Sequence, residues 1–162
     1  MGTSVPGMAP ILAQPPTGGI RYEALAGRGD RMYLDRDPLR GRRMISLTLP
    51  RSCDAAGFAR TAIAPLGAGL APDRRADLNL LISELVNNAV VHGSGRIELQ
   101  LERRRDAVWA QVTDEGPGFE AALNAVKHTQ AGGWGLRLLD LLSDRWGMAE
   151  SSTRVWFELP VM

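Results

Sequence analysis

From Met44 onward the apolar positions of the chain repeat with recognisable periods. ISLTLP (45–50) alternates and stops at a proline, which predicts a strand. SCDAAGFARTAIAPL (52–66) has helical composition and opens with Ser and Asp, both suited to a helix start. GAGLAPD reads as a loop, with Asp73 expected to cap the next helix. That helix, RRADLNLLISELVNNAVVH, is the strongest helical pattern and stops at Gly93. RIELQLERR (96–104) and AVWAQVTD (107–114) read as strands joined by a charged turn at Arg105 and Asp106. DEGPGF is then a turn, EAALNAVKH a short helix, TQAGGWG a glycine-rich loop and LRLLDLLS another helix. RWGMAES and TRVWFELP read as a closing strand pair. Helices and strands in this order predict an α/β two-layer sandwich of the α+β kind. Its sheet is expected to be mixed but mainly antiparallel, covered on one face by helices.

Residues 1–43 lack any sustained period. They are rich in Gly, Pro and Arg, and RGDRMYLDRDPLRGRR mixes charges with few apolar residues, so it offers little surface to bury. A flexible tail over 1–43 and one domain over 44–162 are expected, with Met32 and Met44 as alternative starts. Nineteen basic and eighteen acidic residues leave a net charge of +1, which supplies no electrostatic case for nucleic acid or an anionic membrane as partner. All the cations but Lys127 are Arg. Cys53 is the single cysteine, which rules out an intrachain disulfide and a cysteine-rich metal site. No apolar run reaches membrane-spanning length, and MGTSVPGMAPILAQPP has no basic stretch ahead of an apolar one. A cytoplasmic protein is the expectation.

The long helix contains an oddity. ELVNNAVVH (84–92) places two asparagines in an apolar stretch, although Asn is a poor helix former. With about 100° of rotation per residue, Leu78, Leu81, Ile82, Leu85, Val86 and Ala89 form one stripe. Glu84 and Asn88 fall side by side on a margin of that stripe, and Asn87 points away from it. An amide oxygen suits Mg²⁺, which keeps waters and binds phosphates. A carboxylate one turn away suits a group that accepts a proton from an attacking hydroxyl. Taken alone, this spacing is better accounted for by a solvated helix face, because so short a motif recurs often by chance.

Two glycine turns follow. DEGPG (114–118) comes after a strand with Val108, Ala110 and Val112 on one face. Its glycines leave room for a planar ligand, and the Asp114 carboxylate is suited to accept a hydrogen bond from the adenine amine. An ordinary strand-to-helix turn with Asp as a local cap fits as well. GGWG (132–135) leads directly into LRLLDLL, so free N–H groups at a helix start would favour phosphate. A plain flexible loop is the other reading. GxxxxGK[ST] is absent, and so are the strand lysine and H-R-D loop of ordinary protein kinases.

In this order ELVNNAVVH, DEGPGF and GGWGL resemble the N, G1 and G2 boxes of the GHKL, or histidine-kinase-like, ATPase superfamily. The resemblance extends over residues from about 45 to 160. Length and the closing TRVWFELP are most similar to its stand-alone branch, the anti-sigma factor serine/threonine kinases. The resemblance implies a Bergerat-type ATP-binding fold with ATP and Mg²⁺ as cofactors. It implies Asn88 as the Mg²⁺ ligand and Glu84 as the acid that activates an acceptor hydroxyl. Asp114 would read adenine, with Gly116 and Gly118 leaving room for the ring. Gly133, Trp134, Gly135 and Leu136 would frame the phosphates, and residues 119–132 would form a lid. Thr153 matches a strand hydroxyl near adenine, in competition with Ser151 and Ser152. The partners implied are a sigma factor and an anti-sigma factor antagonist, and a homodimer is allowed. A sensor kinase's phosphoacceptor helix is missing: His92 reads as a helix-end residue and His128 as solvated. An ATP-binding regulatory module without transfer, or a detached histidine-kinase catalytic domain, are the other functions compatible with these motifs.

Overall fold

The computed structural model describes the backbone of residues 22–25, 31–37, 42–116, 134–148 and 153–162, and the side chains of those from residue 44 on, Trp134 excepted. The described strands are β1 (Tyr22–Leu25), β2 (Arg31–Asp37), β3 (Arg42–Leu49), β4 (Ile97–Arg103), β5 (Ala107–Asp114), β6 (Arg145–Met148) and β7 (Val155–Pro160). They form a seven-stranded sheet in the order β1-β2-β3-β4-β5-β7-β6. Every pairing is antiparallel, so the expected parallel component is missing from the described strands. The described helices are α1 (Ala55–Gly67), α2 (Pro72–His92) and α3 (Trp134–Leu142).

The alternation read in the sequence becomes rows of side chains under the helices. Ile45, Leu101, Ala110 and Phe157 are cross-strand neighbours, as are Leu47, Leu99, Val112 and Val155. All are buried, and the side chains of α1 and α2 close over them. On α2 the buried residues are Leu78, Leu81, Ile82, Leu85, Val86 and Ala89, the stripe that helical rotation predicts. The third row reads Leu49, Ile97, Asp114. A carboxylate thus takes the place where the core row would continue, directed toward the helix layer because strand side chains alternate. This fold is an α+β sandwich.

Three sequence expectations need correcting. Within the tail expected over 1–43, β1 and β2 pair onto the sheet and β3 begins at Arg42. Short, mixed-charge strands take their stability from pairing with a neighbour, which no local pattern reveals. The first helix begins at Ala55, three residues beyond the expected start. Asp73 does not cap α2. Pro72 occupies the start, where its fixed φ and missing N–H suit the first turn, and Asp73 lies inside that turn. The short helix expected over 120–128 lies outside the described residues.

Candidate functional site

Helix α2 brings its two polar residues to a half-buried margin while Asn87 is exposed. The first turn of α3 lies against that margin. A Cβ at Gly135 would sit 2.7 Å from Nδ2 of Asn88 and 3.9 Å from Oε2 of Glu84. The glycine hydrogen is what lets the two helices approach this closely. N–H groups in a helix's first turn have no intrahelical acceptor and carry its positive dipole end. An amide, a carboxylate and such a turn are therefore gathered in one place. Among the described residues neither Glu84 nor Asn88 makes a side-chain hydrogen bond. Leu136 follows Gly135 and packs on the core, which anchors the turn.

Farther along α2 lies a second group of polar atoms. Asp114 ends β5 beside the loop Gly93–Arg96 that joins α2 to β4. Its Oδ1 accepts hydrogen bonds from the Gly116 N–H at 2.7 Å and the Ser94 N–H at 3.2 Å. A Cβ at Gly116 would stand 2.6 Å from that same oxygen, so the turn closes on the carboxylate only with glycine here. Oδ2 accepts no hydrogen bond among the described residues. One oxygen is held and the other is left as an acceptor for a ligand donor. The Thr153 hydroxyl accepts from the Asp114 N–H at 3.0 Å and donates to the Asp114 carbonyl, so it is tied to the main chain of that residue. A hydroxyl has a second lone pair, which takes no hydrogen bond among the described residues. Asn88 and Gly93 are separated by about 7–8 Å along the helix axis. Both polar groups therefore lie along one helix, an amide and acid at one end and a carboxylate with one open oxygen at the other.

Glu115 and Arg51 carry no signal in the sequence, yet both shape this end. Glu115 accepts the Arg96 N–H at 2.9 Å and donates its own N–H to the Ser94 carbonyl at 2.9 Å. Arg51 binds main-chain carbonyls of α2 and of the loop, from just beyond β3. Gly118, Gly133, the side chain of Trp134, Ser151, Ser152, His128 and the lid expected over 119–132 lie outside the described residues. His92 is exposed in the last turn of α2, in keeping with a helix-end role. No described helix is long and apolar enough to cross a membrane.

A comparison with protein-family models matches residues 49–158 to the histidine kinase-like ATPase domain. A comparison with curated proteins finds no match. The matched span exceeds half of the chain and includes Glu84, Asn88, Gly135 and Asp114. By that match the chain belongs to the histidine kinase-like ATPase domain family, a family of ATP-binding modules.

Proposed function

We propose that this chain is a serine/threonine protein kinase of the anti-sigma factor type. It transfers the γ-phosphoryl group of ATP to a hydroxyl on a small antagonist protein and otherwise holds a sigma factor. The observation that carries the proposal is the meeting of Glu84, Asn88 and Gly135. In the transfer, the bond from the γ-phosphorus to the ADP oxygen breaks and one to the acceptor oxygen forms. The hydroxyl proton goes to Glu84, which has no competing hydrogen bond among the described residues. The side-chain donors present fit Mg²⁺. Asn88 would supply a hard oxygen, and among the described residues no cluster of three or more His, Cys, Asp or Glu could hold a metal by itself. Such a site suits an ion that takes most of its ligands from phosphate and water. Mg²⁺, when bound, would neutralise phosphate charge.

At the other end Oδ2 of Asp114 accepts from the exocyclic amine of adenine. Guanine presents a carbonyl there and is repelled. Phosphotransfer is tested by incubating the protein with γ-labelled ATP, Mg²⁺ and candidate antagonists. Acid-stable label on a Ser or Thr of a partner supports the proposal. Acid-labile label on His would make the chain a detached histidine-kinase domain instead. Nucleotide binding with no label moved would leave an ATP-gated regulatory module.

A further inference from the structure

The Gly93–Arg96 loop is held from two sides. From the end of β5 and the residue after it, Asp114 and Glu115 take the N–H groups of Ser94 and Arg96. From just beyond β3, Arg51 reaches across 44 positions in sequence to donate its Nε–H to the Gly95 carbonyl at 3.1 Å. Its Nη1 donates to the Ala89 carbonyl and, at 2.9 Å, to that of Val90. Those two carbonyls belong to the last turn of α2, and that of Ala89 also accepts the Gly93 N–H at 3.1 Å. A guanidinium is planar and rigid, so one side chain bonded to both fixes the end of α2 relative to the loop. The loop cannot take up this geometry with an ordinary residue at its centre. Gly95 has φ +60°, and a Cβ there would stand 2.7 Å from Cβ of Glu115.

We infer that Arg51 is a positioning residue for recognition of the nucleotide base. By locking the end of α2 to the loop, it holds the Ser94 N–H against Oδ1 of Asp114. That keeps the carboxylate in one orientation with Oδ2 as its open acceptor. Arg51 makes no hydrogen bond to Asp114 itself among the described residues, so it acts through the main chain. The inference rests on the reading of Asp114 as the adenine acceptor. A helix cap alone would add stability to α2 without affecting which base binds. A positioning role affects discrimination itself.

The test uses Arg51→Ala and Arg51→Lys in the full chain, with two probes: ATP and purine riboside triphosphate, which lacks only the exocyclic amine. Equilibrium binding gives the preference for the amine. Amide hydrogen exchange at Ser94 and Gly116, without nucleotide, reports the clasp directly. Arg51→Ala is expected to reduce the preference for ATP about tenfold, the worth of one well-placed hydrogen bond. Exchange at Ser94 should quicken while that at Leu99 and Val112, within the sheet, stays slow. Arg51→Lys should recover part of both effects, because an ammonium can reach only some of the three carbonyls. If Arg51→Ala is too unstable to bind, Arg51→Lys must show a smaller shift in the same direction. An unchanged preference together with a protected Ser94 amide would reduce Arg51 to a cap and overturn the inference. A wild-type protein that does not distinguish the two probes would overturn the adenine reading, and the inference with it.

Discussion

The two ends of the α2 flank are built in opposite ways. At the Asp114 end, Oδ1 has two N–H donors, Thr153 bonds both main-chain groups of the residue, and Arg51 pins the loop alongside. At the Glu84 end, the carboxylate and the Asn88 amide make no side-chain hydrogen bond among the described residues, and glycine replaces any side chain that would fill the gap. The first end is organised by the protein alone. The second has its polar atoms uncommitted, ready for ligands that bring their own charge. A base has a fixed shape and rewards a rigid acceptor, since pre-organisation removes an ordering cost from binding. Phosphates and a hydrated ion satisfy polar groups for themselves, so the side chains around them need only be close and correctly aimed.

Glu84→Gln should have the largest effect. The amide keeps shape and burial but cannot take the hydroxyl proton, so phosphotransfer should fall about 10²–10⁴-fold with ATP affinity nearly unchanged. Single-turnover transfer and equilibrium binding on the same sample separate the two. A parallel loss of affinity would mean that Glu84 holds nucleotide and that the division between the ends is wrong.

Asp114→Asn acts at the organised end. Its amide oxygen can keep the N–H groups of Ser94 and Gly116, while its NH₂ confronts the adenine amine. ATP affinity should drop about 10–100-fold, the range for a hydrogen bond to a charged group, with the melting temperature little changed. Titration calorimetry and thermal unfolding measure the two quantities.

Two glycine substitutions sharpen the contrast further. Gly95→Ala forces a side chain into a left-handed backbone and onto Glu115, and should destabilise by about 1–3 kcal/mol in denaturant unfolding. Gly135→Ala lies in helical backbone, and the atom it meets is the movable end of Asn88. Ala is the better helix former by up to about 1 kcal/mol, so stability should hold or rise slightly. Transfer activity should nevertheless fall, because Asn88 must swing away. A Gly135→Ala protein with full activity would show that α3 is not part of the site.

Much of this contrast was legible in the sequence where local periods carry it. Rotation along α2 separates Asn87 from Asn88, and Asn87 is indeed exposed while Asn88 is half-buried. Alternation along β5 puts Asp114 on the same face as Val108, Ala110 and Val112, and so toward the helices. The approach of Gly135 to Asn88 joins segments far apart in the chain, and only the order of motifs hinted at it. Arg51 left no trace, because its acceptors are main-chain carbonyls that any residue supplies. The strands β1 and β2 escaped notice for a related reason: the backbone of β3, not their own composition, pairs β2 into the sheet. Asn87 shows the limit from the other side, since its exposure is plain and nothing described in the structure gives it a function.

The central claim is that a pre-formed carboxylate reads the base at the far end of α2 from the phosphates. Equilibrium titration of the wild type and Asp114→Asn with ATP and GTP tests it most directly. The expected result is a wild type that binds ATP well and GTP poorly, and a variant that loses at least tenfold in ATP affinity while remaining folded. A folded Asp114→Asn protein with wild-type ATP affinity would contradict it.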